Sequence, residues 1–152
     1  MARQFIAKSL VPDAVDRTYA LARNGAPSLS LEEWRNYARG LIRRGPAGGV
    51  LTVENLAGTV QGLCSYRIDP SPGQGAICSV EFLVALDLLS SETVTEALLQ
   101  ALEALARRQG AAALRLDLPY GTPATTQLLR HLDRSGHRLD KIRLLKQLDA
   151  VG

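Results

Sequence analysis

Apolar residues recur along the chain with two periods, and each period predicts a different kind of element. A period near 3.6 residues predicts helices at about 13–24, 30–44, 93–109 and 122–135. Alternation, or a short continuous apolar run, predicts strands at 5–10, 49–54, 59–68, 76–86, 113–118 and 139–148. The predicted order is therefore β-α-α-β-β-β-α-β-α-β, an α/β (α+β) domain with a mixed sheet.

Two of the predicted strands differ in how they are buried. The segment 59–68 alternates, as a half-buried antiparallel strand does, and one face carries Val60, Cys64, Tyr66 and Ile68. The segment 76–86 is apolar on both faces apart from Ser79 and Glu81, which predicts a central strand. A helix and another strand follow it, so we expect the strands 76–86 and 113–118 to be parallel neighbours joined by a right-handed crossover.

Composition indicates an ordinary globular chain. Its 152 residues are 46% hydrophobic and 22% charged, which predicts one domain over residues 1–152. The net charge of +3 comes from arginines that mostly alternate with acids, so we expect no nucleic-acid partner. No apolar run is long enough for a leader or a membrane span, and we expect no membrane partner and a cytoplasmic location. Cys64 and Cys78 lack metal-ligand spacing and are interpreted as buried thiols, with no metal site.

The segment 97–111, ALLQALEALARRQGA, followed by Leu114-Arg115-Leu116-Asp117, together with the element order, resembles the GNAT (GCN5-related N-acetyltransferase) family. The resemblance implies a splayed mixed sheet with acyl-coenzyme A, such as acetyl-coenzyme A, between the fourth and fifth strands. The backbone of Phe82, Val84 and Leu86 would then hold the pantetheine arm.

The turn before the third helix departs from the family pattern. The family carries Gln/Arg-x-x-Gly-x-Gly/Ala there, and these positions fall on Ser90, Thr93 and Thr95. Three acidic residues near this turn would repel the negative charge of a pyrophosphate: Asp87, Glu92 and Glu96. Two interpretations stay open: ordinary helix capping, or a divergent phosphate site made by Ser90, Ser91, Thr93 and Thr95.

Two residues are candidates for catalysis. The resemblance implies a base glutamate at Glu81, whose pKa burial would raise, and the alternative is a carboxylate paired with Arg67 across the hairpin. The family's general-acid tyrosine falls on Leu132, so Tyr120, at the end of the fifth strand, is the substitute candidate.

Two functions follow from these observations. The first is a divergent acyl-coenzyme A-dependent N-acyltransferase, whose acceptor is an amine on a small molecule or a protein. The second is a non-catalytic binding or regulatory module of the same fold that has lost coenzyme A. The resemblance also leaves a homodimer open.

Overall fold

The computed structural model describes residues 5–86, 93–117, 129–130, 132–134, 136–138 and 144–148. They belong to two compact units, residues 1–118 and 119–152. The first unit contains one mixed sheet with helices on both faces. Its elements are strand β1 (Phe5–Ser9), a 3-10 helix (Pro12–Thr18), α1 (Tyr19–Gly25), α2 (Leu31–Ile42), a 3-10 turn (Gly45–Ala47), β2 (Gly48–Asn55), β3 (Val60–Ser71), β4 (Gly75–Ala85), α3 (Thr93–Arg108) and β5 (Ala113–Leu116).

The strands lie side by side in chain order, β1-β2-β3-β4-β5. Neighbours are antiparallel except β4 and β5, which are parallel. The predicted mixed sheet and its parallel pair are therefore confirmed. The reason is the connection: β4 and β5 are joined through α3, and a helical crossover returns the chain in the same direction.

Each face of the sheet has its own core. On one face α3 packs through Leu98, Leu102 and Leu105 onto Cys64, Cys78 and their neighbours. On the other face the 3-10 helix, α1 and α2 cover Val50, Leu63 and Val84. Trp34 is buried there, and its indole N–H donates to Val15 C=O at 3.2 Å and to Thr18 Oγ1 at 3.0 Å.

The capping box that Ser30 and Glu33 predict is present at the start of α2, where Glu33 N–H donates to Ser30 Oγ at 3.1 Å and Ser30 N–H donates to Glu33 Oε1 at 2.9 Å. The first helix begins differently from the prediction. It opens as a 3-10 helix whose N-cap is Val11, and Asp13, the residue at which the helix was predicted to begin, lies inside the first turn.

Strand β3 is longer than predicted. It runs to Ser71, and the turn falls at 72–74, with Gln74 N–H donating to Ser71 C=O at 3.0 Å. The pairing of β3 with β2 ends at Arg67, which lies opposite Gly48. Pro70 lies beyond that point and is paired only with Ala76 of β4. A proline is tolerated there because the missing N–H faces the side of β3 that β2 has already left.

A β-bulge in β3 corrects the predicted face of Val60. Gly62 lies opposite Val53 and Val60 opposite Glu54, so Gln61 is an extra residue in β3. The bulge reverses the alternation, and Val60 packs with the core under α1 and α2 instead of joining Cys64 and Tyr66 under α3.

The two cysteines are buried free thiols, as predicted. They do not oppose each other, since Cys64 lies opposite Leu83 and Cys78 opposite Ile68. Burial raises the pKa of both thiols, that of Cys78 to about 11, which keeps them protonated at neutral pH.

The second unit is described in short segments. Residues 129–130 and 132–134 are helical, and the predicted stop at Gly136 is confirmed by its φ of 88° and by a bond from His137 N–H to Leu132 C=O at 2.9 Å. Leu129 is exposed rather than inward-facing. The last strand predicted at 139–148 is wrong over 144–148, which has no regular structure and exposes Leu144, Leu145 and Leu148. An apolar pattern does not form a strand without a paired neighbour.

Among the described helices, none has the length and apolarity that a bilayer crossing requires.

Gly62 allows α3 to start close to the sheet. A Cβ on Gly62 would lie 2.8 Å from Val94 Cγ1 and 3.3 Å from Val84 C=O. Val94 belongs to the first turn of α3, so any larger residue at position 62 must lift that turn.

We expect Gly62→Ala to lower the free energy of unfolding by about 1–3 kcal/mol, because the added methyl group overpacks the contact with Val94. Gly40→Ala is the matched control, since a Cβ at Gly40, inside α2, meets nothing within 4 Å. Gly40→Ala should instead stabilise by about 0.5–1 kcal/mol. Urea denaturation measures both, and equal effects of the two changes would contradict the overpacking argument.

Candidate active site

Strand β4 leaves its parallel partner half-way along its length. Pairing with β5 covers Ile77–Val80, and Asp117 N–H closes it by donating to Val80 C=O at 2.8 Å. Strand β4 continues to Ala85. Within the described parts of the chain, no strand pairs with 81–85 on the β5 side. The result is an open backbone edge beside the point where β4 and β5 separate.

A β-bulge marks this point. Phe82 lies opposite Ser65 and Ser79 opposite Arg67, so Val80 and Glu81 together oppose Tyr66. The extra residue reverses which face the following side chains occupy. Val80 packs in the core under α3, whereas Phe82 and Val84 pack in the core under α1 and α2.

The bulge also decides which backbone groups face the open edge. Leu86 N–H donates to Gln61 C=O at 2.8 Å, so the backbone of Leu86 faces β3. In a regular antiparallel pair this orientation repeats every second residue and includes Val84 and Phe82. The N–H and C=O groups directed to the open edge are therefore those of Leu83 and Ala85, and those of Phe82, Val84 and Leu86 face β3. The coenzyme contacts predicted at Phe82, Val84 and Leu86 stay a prediction.

Glu81 is not buried as the base interpretation expected. Its side chain is 37% exposed, and Oε1 lies 3.2 Å from Arg67 Nη2. The alternative pairing across the hairpin is the one observed. Arg67 also contacts Asp69 at 3.4 Å, and Asp69 contacts Arg44 at 2.6 Å. Glu81 lies on this face because it follows Ser79, the register partner of Arg67, by two residues, and the bulge changes the face only from Phe82 onward.

Tyr37 reaches the same face from α2. Its hydroxyl lies 2.8 Å from Ser65 Oγ, and its ring packs 6.4 Å from the ring of Phe82. Burial raises the pKa of the Tyr37 phenol, the hydrogen bond with Ser65 opposes this, and the charge on Glu81 adds to the rise. The sequence analysis missed Tyr37, because helical periodicity does not show which strand residue a half-exposed tyrosine will meet.

Ser79 and Arg115 form a second polar contact on this face. Arg115 Nη2 donates to Ser79 Oγ at 2.8 Å, and Ser79 is buried. Arg67, Ser79 and Arg115 are register partners on β3, β4 and β5, so they form one row across the sheet. This row was not predicted from the sequence. The feature that could have indicated it is Ser79, a hydroxyl residue within an otherwise apolar strand.

The remaining predicted residues are placed only in part. Ser90, Ser91 and Tyr120 lie outside the described residues. Thr93 is the first residue of α3, and Thr95, in its first turn, is buried. Glu96 is exposed beside them.

A cleft of about 320 Å³ lies away from this site, at the C-terminal end of α3. Its lining includes Leu10, Gly48, Tyr66 and Arg108. The open edge of β4 lies beside the N-terminal end of α3 instead, where Val94 meets Gly62. None of Glu81, Tyr37 and Ser65 lines this cleft.

In sequence, the chain matches no protein-family model and no curated protein. In structure, it is similar to an aminoglycoside N-acetyltransferase in complex with coenzyme A, with a TM-score of 0.79, 11% identity and coverage of 99% of this chain and 98% of that one. The chain has the GNAT fold. Other GNAT-fold structures that it resembles are a glucosamine-6-phosphate N-acetyltransferase from Arabidopsis thaliana (TM-score 0.74, 14% identity) and a ribosomal-protein-alanine N-acetyltransferase from Brucella melitensis biovar Abortus 2308 (TM-score 0.75, 16% identity). Each of these two covers 95% of this chain and 99% of its own length.

The raised pKa of Tyr37 gives a prediction for alkaline titration. The unfolded chain loses this proton near pH 10, before the folded protein does, so the contribution of Tyr37 to stability is constant below about pH 10 and falls as pH rises above it. The phenolate absorbance of wild type minus that of Tyr37→Phe should therefore have its midpoint above that of N-acetyltyrosinamide in the same buffer. A midpoint at or below the reference would contradict the burial argument.

Proposed function

We propose that the protein is an acyl-coenzyme A-dependent N-acyltransferase, which moves an acyl group from the coenzyme thioester to an amine. The observation that carries the proposal is the open edge of β4 beside a bulge that holds a carboxylate, in a chain with the GNAT fold. The solved structure of the same fold that contains coenzyme A supports this choice of donor.

The open edge suits an extended pantetheine arm. Leu83 and Ala85 direct backbone N–H and C=O groups toward it, and an arm with two amide groups can pair with them as a short strand would. This contact needs no particular side chain, so it survives changes of sequence. At its start lies Glu81, which puts the thioester end of the arm at the bulge.

The phosphates would lie at the start of α3. A helix N-terminus has free N–H groups and a positive potential. Ser90, Ser91 and Thr93 remain our proposed contacts there. Thr95 is an unsuitable contact because it is buried in the first turn, and Glu96 adds a negative charge nearby.

The reaction requires one proton to leave the amine and one to reach the sulfur. The amine nitrogen attacks the thioester carbonyl carbon, a carbon–nitrogen bond forms, and the carbon–sulfur bond breaks. Glu81 takes the amine proton. Its Oε1 is held by Arg67, and Oε2 has no bond or ion pair with any residue described. We propose Tyr120 as the donor of the proton to the departing thiolate.

Acetyl-coenzyme A should raise the melting temperature. Ligand at about 100 times its dissociation constant stabilises the folded state by about 2.7 kcal/mol. Thermal-shift titrations with acetyl-coenzyme A and with a longer acyl-coenzyme A measure this, and ATP is the control because it has phosphates but no pantetheine arm. Equal shifts with ATP, or no shift with either thioester, would contradict the proposal.

A second candidate is a non-catalytic module of the same fold that has lost coenzyme A. The contact between Glu81 and Arg67 favours it, since this carboxylate is already engaged in an ion pair at the protein surface. Absence of any thioester-dependent shift is the result that this candidate expects.

Glu81→Gln should lower the acyl-transfer rate by about 10²- to 10⁴-fold, the usual contribution of a general base. Glu103→Gln is the matched control, because Glu103 is also an exposed carboxylate paired with an arginine, Arg107 at 2.6 Å. A panel of primary amines with acetyl-coenzyme A supplies the assay. Binding of acetyl-coenzyme A should be unchanged in both variants, and a wild-type rate in Glu81→Gln would remove Glu81 from the mechanism.

A further inference from the structure

Arg115 is a cation in an unusual position. It lies on β5, in the row with Ser79 and Arg67, and is only partly exposed. A guanidinium group has five N–H donors. Arg115 donates one hydrogen bond to a side chain, that to Ser79 Oγ at 2.8 Å, and its Nε is buried with no hydrogen-bond partner.

Within the described parts of the chain, no carboxylate compensates the charge of Arg115. No ion pair to it exists among the described residues, whereas Arg44 and Arg67 each contact an acid. Asp117 lies on the same face two residues further on, and it makes an interaction of its own. A partly buried charged side chain is normally paired with an opposite charge, because taking the charge out of water costs free energy. The row therefore has one cation that no acid among the described residues compensates.

The row faces the same side of the sheet as the proposed base. Arg67 contacts Glu81, so both side chains lie on the face under α2. Ser79, two residues before Glu81, is the register partner of Arg115. Neighbouring strands are about 4.8 Å apart and two residues of one strand span about 6.6 Å, so the backbone of Arg115 lies roughly 8 Å from that of Glu81, within reach of their side chains.

We infer that Arg115 binds the anionic group of the acceptor, and that the acceptor is an amine bearing a carboxylate or a phosphate a few bonds from the reacting nitrogen. The acceptor part of this inference rests on the proposed N-acyltransferase function; the anion site does not. Ser79 holds the guanidinium group in place. Arg67 sits between two acids and contributes less to the anion than Arg115 does.

The first experiment tests the anion site without any acyl transfer. Sodium phosphate and sodium acetate, each compared with sodium chloride at equal ionic strength, should raise the melting temperature of the wild type. Arg115→Gln should lose the shift, and Arg115→Lys, which keeps the charge, should retain part of it. Arg107→Gln is the control, since Arg107 is an exposed arginine already paired with Glu103. The salt with the larger shift identifies the anion class. Shifts of equal size in wild type and in both Arg115 variants would overturn the inference.

The second experiment uses matched acceptors with acetyl-coenzyme A: glycine against glycinamide, and glucosamine 6-phosphate against glucosamine. Arg115→Gln should raise KM for the anionic member of a pair by about 10- to 100-fold and leave kcat and the neutral member unchanged. An equal effect on both members would overturn the acceptor assignment. If acetyl-coenzyme A does not bind but the phosphate or acetate shift depends on Arg115, the proposed function fails while the anion site stands.

Discussion

The bulge in β4, where Val80 and Glu81 share one opposite residue, determines the geometry of the rest of the site. A single extra residue reverses the alternation, and so it sends Val80 to the α3 core and Phe82 to the opposite core. It also turns the backbone of Leu83 and Ala85 toward the side that β5 has left. One local irregularity thus separates the half of β4 that pairs on both sides from the half that, among the described residues, pairs only with β3.

The half of β4 that, among the described residues, pairs only with β3 is packed closely on both faces. On one face the side chains of Phe82 and Val84 pack against Gly25, at the end of α1. A Cβ at position 25 would collide with Val84. On the other face Gly62 accepts Val94 from the first turn of α3. Small residues at two crossings let both helices approach the sheet closely. Close packing on both faces therefore supports the part of β4 that follows the bulge.

On the face of the sheet that α1 and α2 cover, the polar side chains form a connected set. Ion pairs join Arg44 to Asp69, Asp69 to Arg67, and Arg67 to Glu81. The hydroxyl groups of Tyr37 and Ser65 share a hydrogen bond on the same face. Exposed pairs of this kind contribute little to stability individually. Their value is positional, because each fixes the side chain that the next one contacts. Arg115 differs from Arg67, the other arginine of the row, in having a hydroxyl rather than a carboxylate as its partner among the described residues.

The sequence by itself determined the element types through β5, the parallel pairing of β4 with β5, the capping box of α2 and the burial of both cysteines, because these depend on local periodicity and on chain connection. It also singled out Glu81 as chemically unusual. Only the tertiary structure decided that Val60 changes face, that Leu83 and Ala85 rather than Phe82, Val84 and Leu86 meet the open edge, and that Glu81 is paired with Arg67. It also brought Tyr37, Ser79 and Arg115 to the site. The physical reason is common to all of these: bulges and cross-strand register are set by pairing between distant segments, and a residue pattern read along one strand carries no record of its partner.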